Sequence, residues 1–138
     1  MATTNATISI SSDIMSYPTN ITKTMKMHKL GSEVGLDETS GLRTKKFNAE
    51  TAVVVIEQDE FTDTKASKVY MRNTGSSSTE FFYVAKHASA AAVDTAAVTI
   101  GKLFGGDWML IPYLADVNIT VAPSTTNEMT LEFMVFVE

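Results

Sequence analysis

Two histidines, His28 and His87, are the only imidazoles in the chain, and there is no cysteine. That inventory removes thiolate nucleophiles, disulfides and every sulfur-ligated zinc or iron–sulfur site, and leaves too little imidazole for a three-histidine centre. A Ser-His-Asp relay needs only one histidine, with partners anywhere in the sequence. Yet no Gly-x-Ser-x-Gly elbow occurs, and both histidines have plain settings: His28 on the polar face of an alternating run, His87 at the close of a β-rich segment. The acidic run Glu57-Gln58-Asp59-Glu60-Phe61-Thr62-Asp63 offers oxygens for a cation, but calcium takes about six to eight of them and the spacing is not that of an EF-hand loop. Any acidic loop also holds the two carboxylates of a glycosidase, so residues 57–63 read first as a solvated turn. The segment Gly101-Lys102-Leu103-Phe104-Gly105-Gly106 lacks the Gly-x-x-x-x-Gly-Lys-Ser/Thr order and a following helix, so its amides would not converge on a phosphate. The expectation is a chain without catalytic residues, metal or cofactor.

Charge narrows the partners. Sixteen acids against eleven bases give the 138 residues a net charge of −5, against the basic excess of a nucleic-acid binder. Six of the bases, Lys23, Lys26, Lys29, Arg43, Lys45 and Lys46, crowd the first third. On a strand Lys23 and Lys29 share one face and Lys26 takes the other, so one positive surface forms only if residues 43–46 pair beside them. Such a surface would suit an acidic protein neighbour. The first residues carry neither a basic nor an apolar signal region, and no run approaches the roughly 18 apolar residues of a spanning helix, so neither standard secretion nor a membrane is expected. Asn-x-Ser/Thr sequons at Asn5, Asn20 and Asn118 are the chance yield of 19 threonines and 12 serines.

The elements that must position any site follow a period of two. Ile21, Met25 and Met27 alternate with Thr22, Thr24, Lys26 and His28, which predicts a strand with one face on a core, and Ile8 and Ile10 mark an earlier one. Ala52-Val53-Val54-Val55-Ile56 is apolar on both faces and predicts a central strand or one buried at an interface. Residues 67–86 read as a hairpin, with Asn73-Thr74-Gly75-Ser76-Ser77-Ser78 as its turn. The alanines of residues 87–94 are too few for more than a helical turn. Residues 98–104, 108–114 and 117–121 read as strands, with Pro112 confined to an edge or bulge because it has no amide donor. The last strand puts Met129, Leu131, Phe133, Val135 and Val137 on one face. Residues 31–42 read as an exposed loop. About eight or nine short strands without helical periodicity predict an all-β chain, a single antiparallel β-sandwich, jelly-roll or immunoglobulin-like, over residues 1–138 with an extended segment at 1–20.

Apolar residues where a small monomer should be polar are the remaining signal. Met109, Ile111 and Tyr113 alternate with Trp108, Leu110 and Leu114, and Met134 and Phe136 lie opposite the core face of the last strand. A sandwich has one interior, so side chains on the second face meet a covering loop or another subunit. Met109, Ile111, Tyr113, Met134 and Phe136 are the expected protein interface.

The sequence Val69-Tyr70-Met71-Arg72-Asn73-Thr74-Gly75, then Leu103-Phe104-Gly105-Gly106-Asp107-Trp108 leading through Ile111-Pro112-Tyr113 to Leu131-Glu132-Phe133-Met134-Val135-Phe136-Val137-Glu138, resembles the small β-sandwich virion proteins of tailed bacteriophages, over roughly residues 66–138. The resemblance implies a multi-copy head decoration, neck or tail component, made in the host cytoplasm and binding other virion proteins such as the major capsid protein, without catalytic residues. A competing class is a small-ligand or carbohydrate-binding module, with Trp108 and Tyr113 stacking on a sugar.

Overall fold

Alternating side chains with β-branched and aromatic enrichment dictate extended backbone nearly throughout. The computed structural model describes residues 4–14, 17–29, 31, 35–86 and 98–138. The helical turn expected at 87–94, and His87 with it, lies outside the described residues. Eleven strands run in order: β1 (Asn5–Ser12), β2 (Thr19–Lys26), β3 (Glu38–Thr39), β4 (Arg43–Phe47), β5 (Val53–Ile56), β6 (Ser67–Asn73), β7 (Phe81–Lys86), β8 (Thr99–Phe104), β9 (Trp108–Tyr113), β10 (Ile119–Pro123) and β11 (Met129–Val137). The described residues contain no α-helix, and so none long and apolar enough to cross a membrane.

All pairings are antiparallel, and they form three sheets. One has the order β5-β10-β7-β8; a second has the order β3-β11-β6-β9, with β4 also on β11; the third is the pair β1-β2. β11 accommodates two partners on one edge because β4 covers Met129 to Phe133 and the two-residue β3 covers Phe136 and Val137. The described residues are therefore all-β and antiparallel, with eleven strands in three sheets in place of the eight or nine strands expected in two. Residues 1–20 include a paired strand, and β3 interrupts the expected loop at 31–42.

Between the two larger sheets lies one core. Val69, Met71, Leu131, Phe133 and Val135 enter it from the five-stranded sheet and Ile56, Phe82, Val84, Leu103 and Val121 from the four-stranded one. The rings of Phe47 and Phe82 meet across it with centroids 5.2 Å apart. Every inward residue of β11 is buried, as its alternation requires. Pro112 sits on β9, the edge strand of its sheet, where a missing donor leaves no inner ladder bond unmade.

Three expectations are corrected. Residues 67–86 do not fold back as a hairpin: β6 lies in one sheet and β7 in the other. The turn-forming residues serve a crossing between layers, and their backbone bonds go to other strands, with the Thr74 amide donating to the Thr130 carbonyl and the Gly105 amide to that of Ser77. Among the described residues β5 pairs with β10 alone and is an edge strand, which corrects the central-strand alternative; Val53 and Val54 are half-buried. β2 has no face on the core, because β1 is its sole partner and Ile21 and Met25 stay 42% and 41% exposed.

The crossing is built around Asn73, which is 1% exposed. Its Nδ2 donates to the Leu103 carbonyl on the opposite sheet (3.0 Å), its Oδ1 accepts from the Gly75 amide (3.0 Å), its own amide donates to the Asp107 carbonyl and its carbonyl accepts from the Gly106 amide. The turn it grips is closed by Asp107, whose Oδ2 accepts from the Phe104 amide, while Gly106 takes φ +86°. Gly105 packs so tightly on residues 76–77 that a Cβ there would lie 2.5 Å from the Ser77 nitrogen, whereas one at Gly101 would meet nothing within 4 Å. Backbone cannot yield as a flexible side chain can, so Gly105→Ala should cost at least about 2 kcal/mol, within the range for overpacking. Gly101→Ala should be close to neutral. Urea unfolding checks the contrast, and equal midpoints for the two variants would remove the close approach from the account.

Candidate functional site

Period-two geometry gives the five-stranded sheet an outer face, and register fixes its rows. Trp108 stands beside Arg72 and then Glu132; Leu110 beside Tyr70 and then Met134; Pro112 beside Lys68, Phe136 and finally Thr39. Apolar Trp108, Leu110, Pro112, Met134 and Phe136 thus alternate with polar groups across three strands. Tyr70 donates from its hydroxyl to Glu132 Oε1 at 2.9 Å, and burial, then the bond and charge of Glu132, raises its pKa above the ordinary tyrosine value.

The expected interface residues divide. Met134 and Phe136 are on this outer face, half-buried. Met109 and Ile111 instead pack against the core, and Tyr113 is 6% exposed within it. The outward side of β9 is that of Trp108, 49% exposed, and Leu110. Pro112 is exposed and shares the parity of Trp108 and Leu110, but its missing donor marks the strand as an edge and says nothing of which face is outward.

Sequence reasoning missed the arm that overlooks this face. β1 and β2 pair in register from Asn5–Lys26 to Ser12–Thr19, so Ala6, Ile8, Ile10, Ile21, Lys23 and Met25 share one side and Thr7, Ser9, Thr22 and Thr24 the other. The polar side is laced by hydroxyl pairs, Thr7 with Thr24 at 2.8 Å and Ser9 with Thr22 at 3.3 Å. The foot of the arm is anchored. Met27 is 1% exposed, its carbonyl accepts from Lys68 Nζ at 2.5 Å, and the Lys29 amide donates to Glu138 Oε2 at 2.5 Å. Between arm and β9 opens a groove of about 470 Å³, with Ala6, Ile8, Lys23 and Met25 on one wall and Trp108 and Leu110 on the other.

Among the described residues the remaining candidates lie apart from one another. His28 is buried at the arm's foot, its Nδ1 donating to the Lys29 carbonyl at 3.0 Å. No group of three His, Asp or Glu among the described residues is placed to hold a metal ion. In the acidic loop Asp59 adopts φ +62°, its amide bonds to the Ala115 carbonyl, and the Gln58 amide bonds to the Asn118 Oδ1 at 2.6 Å, so the backbone is tied down while every residue of 57–63 except Phe61 stays exposed. Nor do the basic residues pool: β4 pairs with β11 and not with β2, and Arg43 and Lys46 are bound to Glu60 (2.6 Å) and Glu128 (2.9 Å). The glycines 105 and 106 belong to the crossing turn, followed by a strand. No family model, curated protein or solved structure matches this chain.

Tyr113 lies where the core meets the acidic loop. Its hydroxyl donates to the Val117 carbonyl at 3.0 Å, and its pKa is pushed up to about 12 by burial first, then by Glu60, Asp116 and Asp59. The unfolded chain would release that proton near 10.0, the ordinary value, and the folded chain only near 12. The resulting stabilisation is complete below pH 10 and is lost as pH rises from there through about 12. In an alkaline titration followed by tyrosinate absorbance, Tyr113 should ionise together with loss of the fold. Tyr113→Phe should remove that late component and flatten the decline. Ionisation of Tyr113 near the ordinary tyrosine value of 10.0 would contradict the buried setting.

Proposed function

We propose that this protein is a non-enzymatic structural subunit of a tailed-phage virion, a head decoration or cement protein that binds neighbouring capsid proteins in many copies. Its place would be the virion, after synthesis in the host cytoplasm. The observation that carries the reading is the outer face of the five-stranded sheet, where Trp108, Leu110, Met134 and Phe136 lie beyond the single core. Strand order supports it. From β4 onward the chain builds β4-β11-β6-β9 and β5-β10-β7-β8, the arrangement of an eight-stranded jelly roll, which capsid domains use. Fold alone does not assign function, so the weight rests on the surface. A neck or tail component would use the same face.

A carbohydrate-binding module gains less support. Trp108 is exposed enough to stack on a sugar, but Tyr113 is buried with its hydroxyl engaged, and Lys23 is the one charged side chain in the groove beside Trp108. Sugar recognition needs several directed polar groups.

Copy number in purified particles tests the placement: on the order of hundreds of copies fits the head, about six to twelve fits the neck, and absence refutes the virion reading. Phe136→Ser tests the surface. Burying such a ring is worth roughly 1.5–3 kcal/mol, so the variant should lower incorporation into particles about tenfold or more while the isolated chain melts nearly as before. Unfolding of the isolated variant would assign Phe136 to an intramolecular core and withdraw it from the interface.

A further inference from the structure

We propose that the groove between the β1-β2 arm and β9 receives the arm tip of a second copy of this chain, with Asp13 of the entering tip paired to Lys23 of the receiving groove. The inference rests on the multi-copy part of the functional reading and not on the virion.

The tip carries the most exposed large apolar side chains among the described residues, Ile14 at 88% and Tyr17 at 83%. The groove of about 470 Å³ presents Ile8, Met25, Trp108 and Leu110, with Lys23 as its charged side chain. Ligand and receptor surfaces of matching chemistry are thus displayed on one molecule. They cannot meet within it. Eight consecutive register pairs hold the arm extended, and four residues of antiparallel strand, about 14 Å at the usual rise, separate Ile8 from the strand end at Ser12, with Ile14 beyond it. At the end of β1 the Ile14 amide donates to Ser12 Oγ at 3.2 Å.

Charge selects this occupant over a generic apolar one. Lys23 stands in the apolar row of the arm, directly paired with Ile8, and forms no ion pair among the described residues. Covering it with hydrocarbon alone would strand a charge. A tip that brings Ile14 and Tyr17 together with the adjacent carboxylate of Asp13 fills the groove and supplies the counter-charge. Each copy then gives one tip and takes one, so contacts repeat from copy to copy.

The absence of cysteine makes the test clean. An Ile14→Cys copy mixed with a Leu110→Cys copy should form an intermolecular disulfide under mild oxidation at least tenfold faster than Ile14→Cys mixed with Lys102→Cys, whose position is on the opposite sheet. In sedimentation experiments on the otherwise intact chain, Asp13→Lys and Lys23→Asp should each weaken self-association at least tenfold. The double exchange in one chain should restore it. Circular dichroism confirms folding, and if Lys23→Asp disturbs the arm, Asp13→Lys lies outside every strand pair and keeps the comparison readable. A chain that remains monomeric at all concentrations, association indifferent to both single charge variants, or equal cross-linking at Leu110 and Lys102 would each overturn the proposal. Particle copy number is read separately, so failure here leaves the virion reading standing and the reverse.

Discussion

The fold depends on a buried amide that joins two sheets. A chain that passes from one layer of a sandwich to the other must bring peptide groups across a region with no water, and each needs a partner. Asn73 meets that need with both ends of its side chain and both of its backbone groups. No apolar residue of similar volume could replace it, because the Leu103 carbonyl and the Gly75 amide would lose their bonds inside the core, at roughly 1–3 kcal/mol for each buried group left unpaired. The bonds also fix geometry: β6 and β8 end at one level, and the 104–107 turn is held against residues 75–77. With that turn fixed, β9 starts in register with β6, and Trp108 falls outward opposite Arg72. The surface proposed for assembly is thus set by a contact on the other side of the sheet.

Inward and outward packing are separate problems in this molecule. The core is closed by side chains of opposite sheets at single-domain scale, with no residue of β1 or β2 taking part. The arm draws its order from its own ladder, from the hydroxyl pairs on its polar side and from the anchored foot at Met27 and His28. An isolated two-stranded ribbon is marginal in water, so an arm of this length with an apolar side gains from contact with further surface. That energetic gap is the physical ground for the self-association proposed above.

Sequence periodicity made β11, the edge position of Pro112 and the all-β class legible, because each rests on local physics: alternation for the buried face, a missing donor for the edge. Pairing was not legible in the same way. Residues 67–86 carry strand, turn and strand chemistry, and whether such a turn reverses or crosses depends on partners 30 and 56 residues away, Leu103 and Thr130. Val53 to Ile56 looked central because apolar residues on both faces imply two-sided cover, yet edge strands can be covered too. For β9 the alternation was plain but its phase was not; choosing Met109, Ile111 and Tyr113 as outward inverted the strand, as a shift of one residue always does. The arm was visible only as strands, since nothing in the spacing of Ile8, Ile10, Ile21 and Met25 says that the core lies elsewhere.

An exposed apolar ribbon is ordinarily an aggregation hazard, and this one carries its own restraint. Its polar side carries threonine, serine and asparagine with Lys26 near the foot, and its apolar side is broken by a single lysine in the middle of the row. A charge there disfavours stacking on any surface without an acid in the right place, because desolvating an unpaired ammonium costs far more than a methyl contact returns. Specificity of this kind comes from rejecting wrong partners as much as from fitting the right one. The same reasoning accounts for the outer face, where Lys68, Arg72 and Glu132 lie among Pro112, Leu110, Met134 and Phe136 and divide a continuous apolar area into short rows. A partner must match a pattern of charge and hydrocarbon at strand spacing. A protein neighbour of fixed geometry would meet that requirement, in keeping with the assembly proposed above.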